Sequence, residues 1–207
     1  LMGGSDHISA NVVFTQILDL QCLGSIAMGF VAPTIMGFAK GQGSVEGMKK
    51  AIKDIYLFTF IAGAVCSVLP YLFIKPLISL YHLSPAACTM ALTMLRWNPV
   101  YIAPLVWLST TSLHAFRGVG DSFVPPAMTV FSLFFARVGT IIVGTTVFGL
   151  GAYASIFAVA NDHLLRSILL GWRYKSGAWL AAQDKALAKA AAKAAKKAAA
   201  EAKTGSV

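Results

Sequence analysis

Residues 114–126 read HAFRGVGDSFVPP, a short polar segment that separates two long apolar runs of the chain. Arg117 stands where the first run ends, and a cation near the C-terminus of a helix interacts favourably with the helix dipole. Gly118 or Gly120 can adopt the left-handed backbone conformation that commonly closes a helix. The segment is therefore predicted to end one helix and to turn the chain back into the next.

The same segment indicates where the next helix begins. Asp121 or Ser122 can cap it, because short polar side chains accept hydrogen bonds from the free N–H groups of a first turn. Pro125 and Pro126 then fall in that first turn, where the missing N–H of proline costs little. We expect a helix from about residue 124 onward.

Composition places these helices in a membrane. The chain of 207 residues is 57% hydrophobic and 12% charged, whereas a soluble domain carries roughly 25% charged residues. A membrane-spanning helix needs about 20 mainly apolar residues. The predicted fold class is therefore an all-α polytopic bundle of transmembrane helices, with five spans at residues 7–38, 51–74, 85–116, 124–148 and 153–172.

Two of these spans are longer than a bilayer requires. The first and the third would exceed a hydrocarbon core of roughly 30 Å at about 1.5 Å per residue, so they must tilt, protrude or kink. Proline and glycine are the usual causes of kinks. The candidate positions are Gly24, Gly29 and Pro33 in the first span and Pro99 and Pro104 in the third.

Lysine and arginine are distributed unequally between the predicted loops. One set of loops and helix ends holds Lys40, Lys49, Lys50, Lys53, Arg117, Arg173 and Lys175, whereas the other set holds only Lys75. Cytoplasmic loops carry an excess of these residues, which predicts that the first set faces the cytoplasm. The chain is then an integral protein of the cell membrane with its N-terminus outside and its C-terminus inside.

The last residues differ in composition from the rest. Residues 1–180 are predicted to form the transmembrane domain, and residues 181–207 an Ala/Lys-rich cytoplasmic tail with six lysines. Three interpretations of the tail stay open: a solvated tail that only helps to fix topology, contact with the anionic inner leaflet, or contact with nucleic acid. Of these, nucleic acid is the least expected partner.

Nothing in the sequence predicts soluble enzyme chemistry. The three cysteines lie in apolar runs without a C-x-x-C spacing, and the four histidines lack metal-ligand spacing. No P-loop, H-E-x-x-H or G-x-S-x-G motif is present. We therefore expect no enzymatic activity, no metal site and no organic cofactor.

Charged residues within the predicted spans are the most informative, because a charge at membrane depth is costly unless it is paired or hydrated. Asp162 and Arg166 are four residues apart and share a helix face. Arg137 and Asp162 lie about 13 and 12 residues on either side of the turn at 149–151, which predicts similar depths on antiparallel helices. We expect Arg137, Asp162 and Arg166 to form one buried cluster, either as a structural clamp or with a direct role in transport. Arg96 is the remaining intramembrane cation.

Asp19 is the other acid within a predicted span. One hypothesis is that Asp19 faces a cavity, with Gln16 nearby, and binds a proton or Na⁺. The alternative is an acid in the outer half of the span that reaches water without a transport role.

Five segments together resemble the multidrug and toxic-compound extrusion (MATE) family of transporters. They are AFRGVGDS at 115–122, FFARVG at 134–139, ANDHLLRSILLGWRYKSGAW at 160–179, LRW at 95–97 and MGFAKGQGSVEGMKKA at 36–51. The resemblance covers about residues 8–180, and the closing segment is most similar to the C-terminal half of the family. Its turn motif falls on Arg117, Gly118, Gly120 and Asp121.

The resemblance implies two six-helix lobes around a central cavity and export of small organic substrates by H⁺ or Na⁺ antiport. This chain would hold five of the six helices of the C-terminal lobe, and its partners would be the lipid bilayer and the missing N-terminal lobe. The helix before the turn, where one branch of the family has a coupling carboxylate, contains no acid here. Asp19 and Asp162 are left as the intramembrane acids.

Two other functions stay open at this point. The first is a lipid-linked sugar flippase of the same superfamily. The second is a membrane protein that does not transport, a remnant whose basic tail binds lipid or a partner.

Overall fold

The computed structural model describes residues 4–96 and 98–181, and within them the chain is helical with no strand. The α-helices are α1 (Gly4–Gln21), α2 (Leu23–Gly41), α3 (Val45–Leu72), α4 (Ile74–Ser79), α5 (Pro85–Leu95), α6 (Ala103–Gly118), α7 (Val124–Ser132), α8 (Gly139–Thr146) and α9 (Ala154–Lys175). The predicted all-α class is confirmed. The tail from residue 182 and the last residue of the 95–97 motif lie outside the described residues.

Each of the five apolar segments is helical in the structure. Within residues 4–96 and 98–181, three helices are long and apolar enough to cross a membrane: Leu23–Gly41, Val45–Leu72 and Val124–Thr146. The last of these comprises α7, a π-helical turn at Leu133–Val138 and α8. For α9, which carries buried charges, and for the interrupted segment α5–α6, the crossing stays a prediction.

The first long segment is interrupted at Cys22 and not at the predicted kink residues. Cys22 has φ −90° and ψ −1°, and its N–H is shared between the carbonyls of Leu18 and Asp19 at 3.0 and 3.1 Å. Pro33 lies inside α2, which runs on to Gly41 without a break. The structure thus adds an interruption at Cys22, whereas a kink at Gly24, Gly29 or Pro33 stays a prediction.

Glycines in this segment serve helix packing instead. A Cβ on Gly24 would lie 2.6 Å from the backbone C and O of Ala62, and one on Gly29 would lie 2.9 Å from the His114 ring. Small residues allow membrane helices to approach closely. Their absent side chains let α2 pack against α3 and α6.

The third segment is interrupted where a kink was predicted. A π-helical turn at Asn98–Ile102 joins α5 to α6, and Pro104 lies in the first turn of α6. Such π turns are rare and are frequent at functional sites.

The buried apolar side chains form two clusters along the bundle. One joins α1, α5, α6 and α9 around Phe14, Met94 and Trp107. The other joins α2, α3, α6 and the end of α9 around Met36, Phe116 and Trp179. The charged cavity described next is lined by α1, α6, α8 and α9.

Candidate functional site

A polar cavity of about 410 Å³ opens between α1, α6, the second π-helical turn, α8 and α9. Its wall includes four residues that carry full charges: Asp19, Arg137, Asp162 and Arg166. His163, Asn11 and Thr110 add further polar groups, and Phe14 and Ile141 add apolar surface. A cavity of this size and mixed lining is typical of a small-molecule site.

Asp162 is the most buried charged group of the cavity, with no exposed surface. Its Oδ1 and Oδ2 accept hydrogen bonds from Arg166 Nη2 at 2.8 and 2.9 Å. Ser132 Oγ lies 2.7 Å from both Oδ1 and the backbone carbonyl of Asp162, and one hydroxyl proton serves these two acceptors. The carboxylate is thus paired within α9 and tied to α7.

Arg137 reaches the same carboxylate from the second π-helical turn. Its Nε lies 3.4 Å from Asp162 Oδ2, and 34% of its side chain is exposed. That Nε has no hydrogen-bond partner among the described residues. The structure therefore brings Arg137, Asp162 and Arg166 together, but Arg137 interacts with Asp162 more weakly than Arg166 does.

Two further polar contacts fix α9 beside the cavity. His163 Nδ1 lies 2.7 Å from Ser109 Oγ of α6, and Asn161 Nδ2 donates to Thr140 Oγ1 of α8 at 3.1 Å. The sequence did not indicate these contacts or Ser132, because single polar residues in apolar helices have no distinctive spacing.

Asp19 is exposed and lies on the α1 wall of the cavity. Gln16 is also exposed but is not part of that wall. The neighbours of Asp19 in the cavity are instead Thr15 and Asn11, and the Oδ1 of Asn11 is buried without a hydrogen-bond partner among the described residues. Their spacing of four residues could have indicated this shared face from the sequence.

Arg96 lies away from the charged cavity. It is exposed at a separate groove of about 460 Å³ that Lys75 also lines. Arg96 therefore lines a different site from the cluster around Asp162.

A buried pair of amide side chains joins the break at Cys22 to the first π-helical turn. Asn98 Nδ2 donates to Gln21 Oε1 at 2.5 Å, and both side chains are fully buried. Gln21 directly precedes the break at Cys22, and Asn98 begins the first π-helical turn. Neither residue stood out in the sequence, because a single amide in an apolar run has no distinctive spacing.

The turn at 117–121 is partly as predicted. Arg117 lies exposed in the last turn of α6, and Gly120 has φ +99°, which confirms a left-handed glycine there. Gly118 has another role: a Cβ on it would lie 2.6 Å from the carbonyl oxygen of Pro33. The turn is therefore a close contact with α2 as well as a helix end.

The predicted cap of the following helix is wrong. Phe123 is the N-cap of α7, and no side chain caps it. Asp121 is instead buried and accepts a hydrogen bond of 2.5 Å from Arg173 Nε at the end of α9. A charged partner 52 residues away binds this carboxylate more strongly than neutral backbone N–H groups would.

Charged residues at the helix ends make contacts in two separate regions of the bundle. Lys40 donates to the carbonyl of Val119 at 2.8 Å, at the same end of the bundle as the Asp121–Arg173 pair. Elsewhere, Asp6 accepts a hydrogen bond of 2.6 Å from Ser84 Oγ at the N-terminus of α1. The predicted cytoplasmic residues Lys40, Arg117 and Arg173 thus share one end of the bundle.

Comparison with known proteins gave matches at the level of sequence. The MatE family model matches residues 1–142. The "Probable multidrug resistance protein NorM" of Thermotoga maritima is 22% identical over 179 residues, which are 86% of this chain and 38% of that protein. This chain therefore spans well under half the length of that relative. No solved structure matches significantly.

Proposed function

Because this chain belongs to the MatE family, we propose that it forms part of a secondary active transporter that exports drugs or metabolites in exchange for H⁺ or Na⁺. The relative's name, a multidrug resistance protein, supports export of small organic compounds. The apolar helices support an integral membrane protein. The orientation we propose has the N-terminus outside and the basic helix ends in the cytoplasm, in the cell membrane.

The observation that carries the proposal is the position of Asp19. It is an exposed carboxylate on the wall of a polar cavity that lies within a bundle of apolar helices. Acids within the membrane-spanning helices of transporters mark ion pathways by default, because a charge at membrane depth is costly unless it is paired or hydrated. We assign the exchangeable cation to Asp19.

Asp162 has a different proposed role. Its oxygens already accept hydrogen bonds from Arg166 and Ser132, so a proton or Na⁺ would have to displace these donors. We therefore propose that Asp162 holds α7, α9 and the second π-helical turn together, and that it borders the substrate pathway without exchanging the coupling ion.

The remaining part of the transporter is proposed as the main partner. Since the chain covers 38% of the relative, a second lobe would complete the cavity and provide the opposite wall. Alternating access then requires the two lobes to move about this cavity while the charged cluster keeps α9 fixed to its neighbours.

The test is export by the full-length protein reconstituted in proteoliposomes, with ethidium as a fluorescent probe and an imposed H⁺ or Na⁺ gradient. Asp19→Asn is expected to abolish gradient-driven export without lowering protein abundance. Asp54→Asn is the matched control, because Asp54 is also an exposed acid but lies outside the cavity. Wild-type export by the Asp19→Asn protein would refute the assignment of the cation to Asp19.

A further inference from the structure

The cavity contains more positive charge beside Asp162 than this carboxylate can pair. Oδ1 accepts from Ser132 and Arg166, and Oδ2 accepts from Arg166. Arg137 approaches the same Oδ2 at 3.4 Å without a hydrogen bond at its Nε. Two guanidinium groups therefore share one carboxylate, and the cluster has a net charge of +1.

Within the described part of the chain, Arg137 forms no ion pair with any acid other than Asp162. An arginine is always protonated, and an unpaired charge at membrane depth is costly. Arg137, whose side chain is 34% exposed, lines the cavity, so the missing charge can come from a bound ion.

The cluster also has unused hydrogen-bond donors. The Nε of Arg137 and the Nε of Arg166 are buried without a partner among the described residues, and both residues line the cavity. Arg166 is itself 9% exposed. Guanidinium N–H groups bind anions through charge-assisted hydrogen bonds, which are about twice as strong as neutral ones.

We propose that the wall of the cavity formed by Arg137 and Arg166 binds a monovalent anion, either a halide ion or the carboxylate of a small organic molecule. The single excess charge of the cluster matches one negative charge and disfavours phosphate or sulfate dianions. Apolar residues of the same cavity, Phe14, Leu18 and Ile141, can accept the apolar body of an organic carboxylate.

Two other titratable residues, His163 and Asp19, lie near the proposed anion site. His163, next to Asp162 on α9, is bound to Ser109 of α6. Asp19 lies on the α1 wall of the same cavity and repels an anion. Neutralising Asp19, by substitution or by a bound cation, should therefore strengthen anion binding, and this linkage is reciprocal.

The experiment measures anion-dependent thermal stability of the full-length protein in detergent, because a ligand that binds the native state raises Tm with its concentration. Chloride is titrated against sulfate, a dianion that the site disfavours, at constant ionic strength, and benzoate is compared with neutral benzamide. We expect saturable stabilisation by chloride, benzoate or both, but not by benzamide. Since no ion gradient is present, the result is independent of the proposed cation-driven export.

Three variants test whether anion binding depends on the cluster around Asp162. Arg137→Gln is expected to weaken anion binding by about tenfold or more, the loss of a charged hydrogen bond, whereas Lys50→Gln, an exposed cation outside the cavity, leaves it unchanged. Asp19→Asn should tighten binding by a few-fold, a gain that misfolding cannot imitate.

The results test whether the anion binds at this cluster and show whether it is a halide or an organic carboxylate. Saturation by chloride alone supports a halide site, and saturation by benzoate alone supports an organic carboxylate. Equal stabilisation by chloride and sulfate together with equal stabilisation by benzoate and benzamide would overturn the proposal, and so would unchanged binding in a folded Arg137→Gln protein. If that variant does not fold, unchanged binding in Asp19→Asn overturns it.

Discussion

Substitutions in the charged cluster should differ sharply in their cost. Asp162→Asn keeps the shape of the side chain but leaves Arg166 without its anion, and the Arg166 side chain is only 11% exposed. Removing one partner of a buried pair costs about 3–5 kcal/mol. This is more than most single substitutions, which cost about 0.5–3 kcal/mol.

Arg137→Leu should cost much less. The Arg137 side chain is 34% exposed and lies 3.4 Å from Asp162, without a hydrogen bond at Nε. Solvent-exposed ion pairs contribute about 0–1 kcal/mol, so we expect a loss of about 1 kcal/mol or less. The double variant Asp162→Asn/Arg166→Gln should recover part of the loss, because the buried Arg166 charge is then absent and Arg137, whose side chain is 34% exposed, can be hydrated.

The assay is the apparent Tm of the full-length protein in detergent, read by fluorescence-detected size exclusion after heating. The expected order of Tm is wild type and Arg137→Leu highest, the double variant intermediate, and Asp162→Asn lowest. An equal decrease for Asp162→Asn and Arg137→Leu would show that the difference in pairing geometry has no energetic consequence. A double variant less stable than Asp162→Asn would contradict the argument from a stranded charge.

Two other predictions concern topology and helix packing. In a cysteine-free background, cysteines at Gln42 and Ser122 should react with a membrane-impermeant maleimide only from the cytoplasmic side. A cysteine at Ser79 should react only from outside. Labelling of Ser79 and Ser122 from the same side would mean that the chain has one span fewer than predicted. Gly118→Ala should lower Tm, since its Cβ would lie 2.6 Å from the α2 backbone, whereas Gly171→Ala, with no atom within 4 Å of its Cβ, should not. Equal Tm values for the two glycine variants would show that α2 and α6 can separate without cost.

Most of the helical order could be predicted, because hydropathy and the polar breaks between apolar runs mark it directly. The cluster around Asp162 could also be predicted in outline. Two helices joined by a short turn place residues at equal distance from the turn at similar depth, and this holds for Arg137 and Asp162 despite the π-helical turn. The spacing could not distinguish the strong pairing with Arg166 from the weak pairing with Arg137.

The irregular parts of the helices could not be predicted. A π-helical turn depends on a shift of backbone hydrogen bonds that tertiary packing stabilises, and no residue type marks it. The break at Cys22 has neither glycine nor proline at its centre. Asp121 was misassigned for a related reason, because its partner Arg173 comes from a distant helix and local capping rules do not include distant partners.

The amide pair of Gln21 and Asn98 has a consequence for biosynthesis. The two residues are separated by 77 positions, which a ribosome adding roughly 5–20 residues per second needs about 4–15 s to translate. During that interval the first segment carries a polar side chain toward the bilayer before its partner has been made. Insertion of this segment is therefore expected to be less favourable until the third segment arrives, and we predict a longer stay beside the translocon as the consequence.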